Sequence, residues 1–130
     1  MNMNRWLVVM VLSCICGIAM AEESPSRYVR IAELEIDPGR VDAFAAATRE
    51  VGQASVRSED GCLVLYAVAE KDNPGRVRVF EIYRDPAAYQ AHLQTSHFKK
   101  FRAATDDMVK SRKLIDATPI SLATKPGVAP

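Results

Sequence analysis

Apolar side chains recur with two different periods along this chain, and the alternation between the periods outlines a fold. "YVRIAELEI", Tyr28–Ile36, alternates at a period near two and predicts a strand. From residue 40 to 57 the period changes: Val41, Phe44, Ala45 and Val51 recur at helical spacing. Asp37 and Pro38 supply helix-start chemistry just before this stretch. "SEDG" closes it, and Gly61 suits a left-handed exit. "CLVLYAVAE" and "RVRVFEIYR" then read as two strands joined by the five-residue turn "KDNPG". Asp85 caps, and Pro86 opens, a second helix running to about residue 95. A further helical stretch from Ser96 to about residue 109 carries Phe98, Phe101, Thr105 and Met108 on one side. "KLIDATPIS", residues 113–121, is the last predicted strand, and residues 120–130 form a tail rich in small residues and proline.

The order βαββαβ predicts an α+β, ferredoxin-like split βαβ fold, with a four-stranded antiparallel sheet and helices on one face. In the middle strands both alternating sets are apolar. Val77, Val79 and Tyr83 oppose Phe80 and Ile82; Leu63, Leu65 and Ala67 oppose Val64, Tyr66 and Val68. A sheet with one wet face should alternate apolar with polar. A second subunit is the natural cover for the other face, so a homodimer is expected.

The first 21 residues follow neither period. Arg5 is their sole charge, an apolar run extends from Trp6 to Met20, and small residues stand at Ala19 and Ala21. This is the pattern of a secretory signal peptide cleaved after Ala21, and it places the mature chain in the periplasm or outside the cell. An uncleaved anchor, or a lipidated Cys14, are the other readings. Cleavage removes Arg5 and leaves sixteen basic against sixteen acidic residues. A neutral domain with no basic face argues against nucleic acid and for a small-molecule or protein partner. Cys14 and Cys16 would leave with the leader, so Cys62 has no intrachain disulfide partner and reads as a small core hydrophobe.

Candidate chemistry concentrates in "EIYRDPAAYQAHLQTSHF", which contains both histidines of the chain, His92 and His97. On one continuous helix five residues turn through about 140°, so the two rings share a face only if the helix breaks near Thr95 and Ser96. That spacing is poor for a helical metal pair, and no metal site is expected. His92 falls on a stripe with Tyr89, Leu93 and Ser96, as a packed histidine or a functional one. Glu81 shares its strand side with Val77, Val79 and Tyr83. A carboxylate in an apolar row needs an arginine partner or a cavity where its pKa rises.

The pattern Glu81-x-Tyr83, Asp85, Ala88, then His92-x-x-Thr95-x-His97-Phe98, resembles the antibiotic biosynthesis monooxygenase domain, which includes quinol monooxygenases. The "DPGR" helix opening, the Gly61-Cys62-Leu63 strand opening and the hairpin before "FEIY" fit as well. The resemblance covers about residues 28–119 and implies a dimeric α+β barrel that hosts several chemistries. These include cofactor-free oxidation of quinol-like or phenolic aromatics by oxygen, haem breakdown, and turnover of small signalling sugars. It implies catalytic positions at His92 and His97 and a strand glutamate at Glu81. The haem-degrading branch carries a tryptophan where His92 stands and an asparagine on the first strand, which this chain lacks.

Cofactor-free oxygenation needs a base, an apolar cavity and donors for a phenolate. His92 is the expected base, with His97 second. Glu81, Tyr66, Tyr83 and Tyr89 are the expected substrate-binding residues, and no cofactor is required. A non-catalytic binding module on the same barrel and a haem-binding or haem-degrading protein are the alternatives.

Overall fold

The computed structural model describes residues 26–128. The predicted leader and its cleavage site lie outside them. The sheet holds β1 (Tyr28–Ile36), β2 (Cys62–Glu70), β3 (Asn73–Tyr83) and β4 (Val109–Ala117), all antiparallel, in the order β2-β3-β1-β4. Helices α1 (Val41–Ser58), α2 (Pro86–His92) and α3 (Ser96–Thr105) connect them. This is the expected ferredoxin-like α+β architecture. Among the described residues no helix is long and apolar enough to cross a membrane.

Local chemistry sets the element ends. Asp37 accepts from the Gly39 N–H and starts the 3-10 turn Pro38–Arg40 that leads into α1. Asp85 accepts from the Ala88 N–H at 2.7 Å and caps α2, with Pro86 in the first turn, where its missing N–H costs nothing. Gly61 is not in a left-handed conformation, as the sequence had suggested, because Gly127 alone among the described residues has a positive φ. Its role is close approach: a Cβ there would stand 2.4 Å from Ala88 Cβ, so the β2 start packs directly on α2.

Several boundaries differ from expectation: α2 ends at His92, not near 95, α3 at Thr105, not near 109, and β4 at Ala117, not Ser121. The β2–β3 turn is shorter, since Glu70 already pairs with Asn73. Pro74 and Gly75 belong to β3, where the strand runs past the end of its β1 partner at Glu35–Arg76 and a missing ladder donor is tolerated. β4 begins at Val109 rather than near residue 113, because the chain passes through a 3-10 turn, Asp106–Met108, straight into the ladder.

The face toward the helices carries Ala32, Leu34, Ile36, Val77 and Val79, packed with Phe44 and Met108. α1 adds Phe44, Thr48, Val51 and Ser55 to the buried layer. Burying each large apolar chain here contributes about 1.5–3 kcal/mol. The opposite face divides in two. Val29, Val64 and Ile82 pack with Leu63, Phe80 and Ala117 at one end. Glu33–Arg78 and Glu35–Arg76 ion pairs occupy the other. Leu63 joins this open-face cluster, not the side of Leu65 as the alternation had implied, because the ladder slips between Cys62 and Val64. Tyr66 and Val68 stand 51% and 63% exposed.

Candidate functional site

The site forms where three chain segments meet at one end of the sheet. α2 ends at His92 and α3 begins at Ser96. Thr95 makes the break: its hydroxyl donates to the His92 carbonyl at 2.8 Å and accepts from the Phe98 N–H at 3.3 Å. One side chain thus closes one helix and caps the next. The break undoes the 140° separation of a continuous helix, and both imidazoles turn toward one carboxylate.

That carboxylate is Glu59, the residue just past α1. His92 Nδ1 lies 2.9 and 3.1 Å from its two oxygens, and His97 Nε2 lies 2.5 Å from Oε1. The Glu59 backbone N–H donates to the Ser55 carbonyl, which ties it to the end of α1. His92 is 1% exposed; the side chains of Glu59 and His97 are 11% and 22% exposed. The three groups therefore form a chain from near-surface to interior. Burial acts to raise the Glu59 pKa, but hydrogen bonds from His97 and His92 outweigh it and hold the carboxyl below its ordinary value. Burial lowers the His92 pKa against the opposing pull of Glu59, so the ring is neutral near pH 7. With Nδ1–H donating to Glu59, the lone pair of the neutral ring sits on Nε2. The donor atoms of Glu59, His92 and His97 all lie within 4.8 Å of one another, so the same trio could hold a metal ion.

His92 also lines a cavity of ≈110 Å³ between sheet and helices. Glu81, Tyr89, Arg30 and Thr48 share the lining with apolar Leu65, Val79, Leu93, Phe98 and Phe101. Glu81 stands directly across the ladder from Arg30. Burial pushes the Glu81 carboxyl up to about 7, and the Arg30 charge only partly offsets this. The arginine partner anticipated for Glu81 is thus a neighbour in charge, not a bonded pair. The Arg30 guanidinium instead donates to the Tyr28 hydroxyl at 3.1 Å, reaches Asp116 at 3.8 Å and lies 4.7 Å from the centre of the Tyr89 ring. Arg30 Nε and Thr48 Oγ1 are buried without a protein partner. Such groups in a cavity wall are ready donors and acceptors for whatever enters.

Of the residues singled out from the sequence, His92, Glu81 and Tyr89 line this cavity. His97 does not line it; it reaches His92 through Glu59. Tyr83 is fully buried, its ring 5.4 Å from His92 and 5.3 Å from Tyr89. Its hydroxyl makes no hydrogen bond, and burial together with the nearby Glu81 drives its pKa far up. Tyr83 therefore packs behind the site and does not line the cavity. Tyr66 does not belong to the cavity: it pairs with Phe80 on the opposite face, while its neighbour Leu65 pairs with Glu81 on the cavity side. Glu59 was missed. It sits in "SEDG", which reads only as a helix end, and its contacts lie 33 and 38 residues away. Cys62 is buried, with its thiol pushed up to about 12 by burial, as expected of an inert core thiol.

The profile of the antibiotic biosynthesis monooxygenase family matches residues 27–104, more than half of the chain. The chain belongs to this family. A protein from Bacteroides thetaiotaomicron named for the same family is 47% identical over 77% of this chain and 95% of its own, with a TM-score of 0.74. A Nitrosomonas europaea protein, also named for the family, is 26% identical, covering 74% of this chain and 92% of its own at a TM-score of 0.69. No curated protein matches. Family membership supports a monooxygenase-like role and matches the fold described above.

Proposed function

We propose that the chain is an exported, cofactor-independent monooxygenase that oxidises a quinol-like or phenolic aromatic with molecular oxygen, and that it acts as a homodimer. The observation that carries the reading is the Glu59–His92 pair at the cavity wall. Glu59 fixes the ring and its tautomer, and His92 presents Nε2 as a base, following the orienter–base logic of catalytic triads. Removal of the phenolic proton gives an electron-rich anion that can pass an electron to oxygen. In the overall balance the phenolic O–H and one ring C–H hydrogen leave with one oxygen atom as water. The other oxygen atom becomes the second carbonyl of a quinone. The substrate supplies all the electrons, so no external reductant is consumed.

Glu81 in its protonated form, Arg30 and Thr48 would hold the substrate oxygens, with Tyr89 and Phe98 as aromatic walls. His97, partly exposed, links Glu59 toward solvent and gives the proton a way out. The cavity within one chain is smaller than the roughly 300–1,000 Å³ of ordinary ligand sites. Entry of a ring therefore requires side-chain adjustment, or a wall from a second copy. Exposed Tyr66 and Val68 on the open face are the apolar surface such a copy would cover.

The test is oxygen uptake by purified, chelator-treated protein with a panel of phenols and reduced quinols, in ¹⁸O₂. One labelled atom in the product per oxygen consumed is expected. No uptake with any member, together with measurable binding of the same compounds, would overturn the catalytic reading in favour of a binding module.

A further inference from the structure

Three donors of mixed type converge on one point: His92 Nδ1, His97 Nε2 and a Glu59 carboxylate oxygen. The proton-relay reading uses their hydrogen bonds, but the same geometry has a second use. Around a tetrahedral zinc-class ion with bonds of 2.0–2.1 Å, donor atoms stand about 3.3 Å apart. The Glu59 oxygens lie 2.5–3.1 Å from the two ring nitrogens. Shifts of under about 1 Å would open room for the ion. Two imidazoles and one carboxylate suit zinc, copper, nickel or iron(II), whereas calcium and magnesium want all-oxygen sets. The carboxylate supplies the anionic ligand of the set.

The scaffold favours a preformed site. Glu59 is held at the end of α1, His92 closes α2, and His97 lies in the first turn of α3. The partial exposure of His97 and Glu59 provides an approach from solvent. Three protein ligands leave a fourth position for water.

We propose that Glu59, His92 and His97 form a binding site for a divalent transition-metal cation of the zinc class, and that its occupancy switches the site off. The second half rests on the reading of His92 as the base. For a metal to bind Nδ1, the proton this nitrogen donates to Glu59 must leave it, and the ring then carries its proton on Nε2. That nitrogen then donates and no longer accepts. His97 likewise must give up the Nε2 proton that faces Glu59 before Nε2 can bind the ion.

The experiment is calorimetric titration of chelator-treated full chain with ZnCl₂, alongside Co²⁺ titration followed by visible absorption. One ion per chain is expected, with the intense d–d bands of a four-coordinate site for cobalt. Glu59→Gln and His97→Ala should each weaken binding by more than about 100-fold, beyond the loss typical of outer-shell changes. Absence of zinc heat and of a cobalt spectrum in the unmodified protein would overturn the site, whatever the fate of the variants. Affinity unchanged in both variants would overturn it too. Heat and absorption need no turnover, so a failure to find oxidation would count against the proposed reaction and leave the metal result standing. Where oxidation is found, Zn²⁺ should abolish it with the binding midpoint, and full activity of the zinc-loaded protein would overturn the switch.

Discussion

Four successive rows of the β1–β3 ladder on the helix-facing side read Leu34/Val77, Ala32/Val79, Arg30/Glu81 and Tyr28/Tyr83. The first two rows lie beneath Phe44 and Met108 in a layer without charge. In the last two, Arg30 and Glu81 line the cavity with His92, Tyr83 packs against the His92 ring outside it, and Arg30 Nε is buried without a hydrogen-bond partner. The same strands and the same alternation thus build a stabilising end and a reactive end within about four residues. Well-packed apolar rows hold the frame, so the polar rows can keep a half-neutral carboxylate and an unbonded phenol in the interior.

The largest effect in the molecule should come from the reactive end. His92→Ala removes the proton acceptor and should lower the oxidation rate per folded molecule by roughly 10²–10⁴. Steady-state oxygen uptake normalised to folded protein checks this. A rate unchanged after normalisation would make His92 a packing residue and erase the functional half of the comparison.

At the other end the balance inverts. Ile36→Ala should cost about 2–5 kcal/mol of stability, because a fully buried branched chain is truncated in a close-packed layer. Urea denaturation should show the midpoint moving at constant slope, while the rate per folded molecule stays at the wild-type value. A comparable loss of rate would mean that the two ends are not separable.

Glu81 sharpens the contrast through pH. Its folded pKa of about 7 lies above the ordinary 4.5, so the folded state holds a proton that the unfolded state has released. Stability from this group is therefore full below about pH 4.5 and is lost as pH rises toward 7. Glu81→Gln should remove that slope. Relative to wild type, the variant should gain about 3 kcal/mol between those two pH values, with no further change outside them. Burial of neutral His92 gives an opposite trend in both proteins, so the difference between them is the quantity to measure. A flat difference would show that Glu81 is solvated.

The smallest effect lies outside both ends. The Lys100–Glu50 pair is 2.6 Å long but well exposed on both sides. Lys100→Ala should change stability by less than about 1 kcal/mol, and less still in high salt.

What the sequence disclosed and what it hid follow from range. Strands, helices and their order were legible because the periods of Tyr28–Ile36 and residues 40–57 are local, and Asp85-Pro86 caps a helix in any context. The boundaries that slipped were those set by neighbours. Pro74-Gly75 looks like a turn until β3 is seen to overrun β1. Residues 109–112 look like a helix end until β1 pairs with them. At the site, the stripe with Tyr89 and Leu93 marks His92 as inward, and the break at Thr95 turns His97 to Glu59 but not into the cavity. Glu59 was illegible, because nothing near it in the chain marks a residue whose partners are brought by the fold.

Glu59 holds His92 in one tautomer, with the ring's basic nitrogen directed away from the carboxylate. Nitrogen-15 NMR of the imidazole side chains, on metal-free protein near pH 7, tests it without any substrate. The expected result is a neutral His92 ring with the proton on Nδ1 and an unprotonated Nε2, and loss of that fixed tautomer in Glu59→Gln. A His92 ring protonated on Nε2, or one averaging between tautomers in the unmodified protein, would contradict it.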